Sequence, residues 1–136
     1  DVQKKPNAKS CVLQISAQNR SALLAGDIEA AQELRLVGAG AAALQADVLL
    51  VPHHGSKTSS SAPFLDAASP RFALVQAGYR NRFGHPAAMV MDRYTSRGIV
   101  VHDSVHCGAA TWSSAEPTKV QCERDRSPRY WQHVPP

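Results

Sequence analysis

Residues 46–78, ADVLLVPHHGSKTSSSAPFLDAASPRFALVQAG, decide the fold. Residues 47–51 (DVLLV) form a nearly continuous apolar run, the pattern of a strand covered on both faces, and Pro52 stops it. The polar loop HHGSKTSSS leads into APFLDAAS, where Ser61 or a neighbouring serine suits the cap of a short helix that Pro63 helps to start and Pro70 closes. Residues 71–77 (RFALVQA) are a second buried strand.

The alternation continues on both sides. Upstream, residues 11–16 and 21–25 are short and apolar around the polar AQNR and read as a β-hairpin, ended by Gly26 and Asp27. EAAQELRLV, from Glu29 to Val37, has acidic residues early and apolar ones at helical spacing, which predicts a helix running out near Gly38 or Gly40. Downstream of the loop GYRNRFG and His85, Pro86 stands where a helix would begin, with Met89, Val90 and Tyr94 at helical spacing before Gly98. Residues 99–102 read as a strand, and segments near 108–113 and 118–124 as a hairpin around SSAEP. The tail DRSPRYWQHVPP is expected along the surface. This order predicts an α/β fold finishing in antiparallel strands, without internal repeats.

With 136 residues, 43% hydrophobic and 19% charged, the chain suits one compact domain or a large piece of one. No apolar run approaches the roughly 20 residues that cross a bilayer, and DVQKKPNAKS lacks the apolar stretch of a signal peptide, so this piece is expected to be soluble. The net charge of +4 favours anionic partners, yet no basic stripe runs along the chain. Lys119, Arg124, Arg126 and Arg129, set against Glu123 and Asp125, also fit a solvated terminus. The three cysteines have neither zinc-knuckle spacing nor scaffold density. Cys107 and Cys122 are expected on neighbouring strands near the C-terminus, which leaves open a single bridge, if the domain is extracytoplasmic, and reduced buried thiols.

Unusual polar groups follow three successive strands or loops: Asp27 after SALLAG, His53 and His54 after DVLLVP, and His85 after GYRNRFG. Ligand sites in α/β sheets form outside the carboxyl ends of strands, so these groups can converge. A carboxylate with imidazoles suits zinc or manganese and can lower the pKa of bound water. Asp27 equally suits the cap of the following helix, and His85 a helix start. Adjacent histidines diverge from an extended backbone, so at most one of His53 and His54 is easily a ligand to any one ion, the other hydrogen-bonding elsewhere or facing substrate. The G-x-S-x-G elbow is absent, which argues against Ser56 as a nucleophile; Ser56 and Thr58 fit better as anion-holding groups or caps.

LLAGDIE (23–29), residues 46–78 and NRFGHP (81–86) together resemble the C-terminal metallo-β-lactamase-like domain of ComEC competence proteins, the channels of natural DNA transformation. The resemblance implies the C-terminal half of an αββα sandwich, a mixed sheet flanked by helices, over residues 1–124, with 125–136 as a tail. It implies two ions, zinc or manganese, with Asp27 and His53 as metal ligands, His54 and His85 as catalytic residues, and Ser56, Thr58, Asn81 and Arg82 near the substrate phosphate. The family's principal motif, H-x-H/D-x-D-H, does not occur in the chain, so this piece alone is expected to be inactive. The parent is then an inner-membrane channel with this domain outside the cytoplasm, cleaving phosphodiesters of DNA. Its implied partners are DNA, the channel portion of the same chain, and a second copy through an exposed sheet edge. A non-catalytic DNA-binding or bracing module, and a hydrolase of a small cell-envelope phosphodiester, remain as alternatives.

Overall fold

The computed structural model describes residues 6–133. A five-stranded mixed sheet holds β1 (Leu13–Ala17), β2 (Arg20–Leu24), β3 (Val48–Leu50), β4 (Phe72–Val75) and β5 (Val100–Asp103), in that spatial order. β1 and β2 form the predicted hairpin, and β2, β3, β4 and β5 run parallel. The crossovers are α1 (Ala30–Gly40), α2 (Ala62–Ala68) and α3 (Ala88–Thr95). Short helices α4 (Ser104–Cys107) and α5 (Glu123–Arg126) flank a separate hairpin of β6 (Ala110–Ser113) and β7 (Glu116–Cys122).

The two faces of the large sheet differ. Leu23, Leu49, Ala73 and Val101 lie side by side in register, and they share one core with Phe64 and Leu65 of α2 and Val90 and Tyr94 of α3. On the other face, Val48 and Phe72 are buried outside that core, whereas Leu50 and Leu74 are half-buried and Val100 is exposed. β1 is exposed throughout, with Leu13 53% and Ile15 51% accessible. The continuous apolar patterns of 47–51 and 71–77 predicted cover on both faces; the helices cover one, and the small hairpin reaches only part of the other. No helix among the described residues is long and apolar enough to cross a membrane.

Local sequence explains the crossovers. The Gln32 side chain accepts from the backbone N–H of Glu29 at 3.2 Å, so α1 is capped at Glu29 and the carboxylate of Asp27 is not the cap. Pro63 stands in the first turn of α2 as predicted, and Ser69 closes that helix in a left-handed conformation just before Pro70. α3 begins two residues after Pro86. The tail carries exposed Tyr130 and Trp131, in keeping with a surface course; its last residues, 134–136, lie outside the described part.

Cys107 and Cys122 are joined in a disulfide, and Cys11 is a free, exposed thiol. Cys107 lies in α4 rather than on a strand, so the bridge ties a helical turn to the end of β7.

Candidate functional site

The carboxyl ends of β2, β3 and β4 bring the predicted groups together. Gly26, at φ +58°, turns the chain after β2, and its carbonyl accepts the backbone N–H of His53 at 2.9 Å. The Gly26-Asp27 turn and the two histidines are therefore stitched by main chain. Gly55, at φ +79°, lets the loop pass against Pro86; a Cβ there would sit 2.7 Å from the Pro86 Cβ. Its carbonyl accepts from the Ala87 N–H at 2.9 Å, which seats the His85 segment beside the two histidines.

His53 and His54 are both left-handed, at φ 49° and 56°, where the sequence reading assumed extended backbone. Each such non-glycine residue costs about 1–2 kcal/mol, a strain that recurs at functional sites. The turn sends the two rings to different neighbours, their centroids 6.5 Å apart. His54 Nδ1 is 2.7 Å from the Gln76 carbonyl, which only accepts, so this nitrogen donates and Nε2 is the one turned to the site. That Nε2 lies 3.6 Å from Asp27 Oδ1, both side chains being about half exposed. His53 instead has Nε2 3.3 Å from Asn7 Nδ2, and Nδ1 3.4 Å from Thr58 Oγ1 and 3.7 Å from Glu29 Oε1. The residue set against Asp27 is thus His54, while both nitrogens of His53 already face protein groups.

His85 completes the cluster, its ring 6.0 Å from that of His53 and stacked on Phe83 at 5.7 Å. Its Nδ1 is buried without a hydrogen-bond partner among the described residues. Burial, and then the neighbouring His53 and His54, hold its pKa below the ordinary histidine value, so the ring is neutral at neutral pH. A cavity of about 280 Å³ opens here between His54, Gln76, Asn81, Phe83 and His85.

The remaining predicted residues separate. The buried Ser56 turns its hydroxyl to Thr58 Oγ1 at 3.1 Å. Asn81 spends its amide on the loop, donating to the Gly78 and His85 carbonyls at 2.9 and 2.5 Å and accepting from the N–H of Phe83 and His85 at 3.2 and 3.0 Å. Its place is to hold His85. Arg82 is exposed and lies over the Phe83 ring at 4.8 Å, at the rim.

Sequence reasoning passed over the support beneath the loop. Glu33 of α1 is fully buried, and its two oxygens accept the backbone N–H of Ser60 and Ser61 at 2.6 and 2.7 Å. Ser60 Oγ meets Tyr94 Oη at 2.9 Å, and Arg93 donates to the Ser59 and Ser60 carbonyls at 3.1 and 3.0 Å. The one available signal was a second glutamate inside EAAQELRLV, indistinguishable there from a solvated helix charge.

The arrangement fits a divalent ion in part. Two ligand atoms on a tetrahedral ion at zinc distances stand about 3.4 Å apart, so the 3.6 Å between Asp27 Oδ1 and His54 Nε2 suits one ion between them. A backbone carbonyl on the other ring nitrogen is a common support of a metal-bound histidine. Among the described residues no third His, Cys, Asp or Glu joins this pair in a compact group; the compact trio lies elsewhere, at His102, Cys107 and Cys122.

The fold and site define the class as an α/β domain with an open histidine–carboxylate site at the carboxyl ends of parallel strands. No family model matches the chain. Over 130 residues, 95% of its length, it is 38% identical to Competence protein ComA of Neisseria gonorrhoeae. It is 36% identical over 95 residues to ComE operon protein 3 of Bacillus subtilis, and 39% over 90 residues to Recombination protein 2 of Haemophilus influenzae. The chain belongs to the ComEC family of competence proteins as one region of it, covering 19%, 12% and 11% of these three relatives.

Proposed function

We propose that the chain forms part of a metal-dependent phosphodiesterase site that acts on DNA within a DNA-uptake protein. The carrying observation is the pair Asp27 Oδ1 and His54 Nε2, 3.6 Å apart, with the histidine's other nitrogen committed to the Gln76 carbonyl. In this reading Asp27 and His54 hold one divalent ion, zinc or manganese. Two such ions, when bound, supply a hydroxide nucleophile at neutral pH and screen the leaving oxygen.

The chain's own residues do the rest. His85, a neutral ring in the cavity wall, is placed to donate to a phosphate oxygen, while Arg82 adds positive charge at the rim. Asn81 keeps His85 in place through two hydrogen bonds to its backbone and two more to the loop around it. Thr58 and Glu29 orient His53, whose role is then to flank the ion site. Further ligands come from the rest of the parent, whose sheet would pack on the half-bare face in the αββα sandwich of metallo-β-lactamases. The name of one relative, Competence protein ComA, supports a parent in competence; a membrane channel, with this domain outside the cytoplasm, belongs to the same proposal.

The test uses the full-length protein with manganese or zinc, single-stranded DNA and, separately, a small chromogenic phosphodiester. Metal-dependent DNA cleavage, falling about 100-fold in Asp27→Ala, supports the reading. Metal binding without turnover of either substrate sinks it and leaves a bracing or binding module; turnover of the small ester alone moves the substrate to the cell envelope. The 136-residue chain by itself should show no turnover above the Asp27→Ala background, since its site gathers too few ligands.

A further inference from the structure

A second group of ligands sits away from these residues. Cys122, at the end of β7, places its sulfur 3.7 Å from Nδ1 of His102 on β5, and Cys107 of α4 is bonded to the same sulfur. One ligand atom from each of the three residues falls within 4.8 Å of the others. Cys107 is buried, and Cys122 and His102 are partly so. A cavity of about 220 Å³ lined by Leu50, Leu74, His102, Ser104 and Ala109 opens beside the imidazole.

We propose that Cys107, Cys122 and His102 form a redox-gated zinc site: closed as a disulfide when oxidised, and a three-ligand Cys2His site for a borderline-soft divalent cation when reduced. At zinc bond lengths and tetrahedral angles, S···S is about 3.8 Å and S···N about 3.5 Å. The Cys122–His102 separation of 3.7 Å is already near the second value. The two sulfurs must part and the Cys107 sulfur must close on the imidazole from within 4.8 Å, movements open to Cys107 in its single helical turn and Cys122 at a strand end by side-chain rotation. Two thiolates neutralise the dication, a requirement for holding it in a partly buried place. The fourth position opens toward the cavity and takes water.

The steps balance. A dithiol reductant gives two electrons and two protons to the disulfide and is itself oxidised to a disulfide, leaving two thiols here. Binding of Zn²⁺ then releases both thiol protons as the two metal–sulfur bonds form. Sulfur ligands select zinc or cobalt over manganese, so this site and the Asp27–His54 pair would sort ions differently.

Cobalt(II) is the probe, because thiolate-to-cobalt charge-transfer absorption cannot arise at the Asp27 site, which has no sulfur. The chain is used with Cys11→Ser, to remove the free thiol, before and after reduction. The reduced protein should develop the band with one cobalt per chain, lose it to added zinc but not to manganese, and lack it in Cys122→Ser; His102→Ala should weaken binding about tenfold. The oxidised protein should give no band. If reduction unfolds the chain, zinc should restore its circular dichroism. A reduced, folded protein without the band, a band indifferent to His102→Ala, or a reduced chain that zinc does not refold would each overturn the proposal and leave a disulfide that only staples α4 to β7.

Discussion

The large sheet carries an aspartate at each end, and the two are treated in opposite ways. At the amino end of β3, Asp47 accepts from the Ser21 N–H at 2.8 Å and from Arg20 Nη1 at 2.9 Å. At the carboxyl end of β2, Asp27 faces His54 Nε2 at 3.6 Å, beyond hydrogen-bond range, and in the same cavity wall as His54 the buried Nδ1 of His85 has no partner among the described residues. The larger of these two cavities, about 360 Å³, is at the Asp47 end, where the carboxylate is already satisfied by Arg20 and the Ser21 N–H, whereas the 280 Å³ cavity by His54 is lined by groups with capacity to spare. Unspent bonding capacity, rather than cavity size, is what supports the carboxyl end as the proposed site, since a buried polar atom without a partner costs about 1–3 kcal/mol.

The strongest way to break this contrast is to pull the open end apart. Gly55→Ala puts a Cβ against Pro86 in left-handed backbone and should destabilise the chain by about 4 kcal/mol in urea unfolding. Next, Glu33→Ala strands the Ser60 and Ser61 N–H groups beneath the histidine loop and should cost about 3 kcal/mol. Asp47→Ala, at the structural end, should cost about 1 kcal/mol by the same measurement, while Asp27→Ala should change stability by less than about 0.5 kcal/mol.

The smallest effect is in pH. His85 is held below its ordinary pKa, so the folded state resists its protonation while the unfolded chain does not. Its contribution is intact above about pH 6.5 and is lost as pH falls from there through the folded value. Burial of Asp47 favours the acid, but the Ser21 N–H and Arg20 outweigh it and hold the carboxyl low, so its contribution is lost only below about pH 4. In stability-versus-pH curves, His85→Gln should flatten the upper window and Asp47→Asn the lower one. Failure of either curve to change in its own window would dissociate the shift from that residue.

The alternation of strands and helices was legible because DVLLV and FALV carry buried-strand patterns and the crossovers carry Pro63, Gly98 and the helical spacing of EAAQELRLV. The one-turn helices α4 and α5 were not: a side-chain cap from Asp103 to the His106 N–H at 2.8 Å fixes the first, and no periodicity fits in four residues. The convergence of Asp27, His54 and His85 was legible from strand ends. Which histidine meets Asp27 was not, since that depends on two left-handed residues that no glycine announces. Nor was the half-bare sheet face, because an apolar run reads alike whether its cover is present or supplied from elsewhere.

The most direct measurement is metal stoichiometry of the full-length protein, by elemental analysis after equilibration with zinc or manganese, for the wild type and for Asp27→Ala, His54→Ala and Asp47→Ala. Asp27→Ala and His54→Ala should each lose at least one ion while Asp47→Ala keeps the wild-type content. Full occupancy in both Asp27→Ala and His54→Ala would contradict the account.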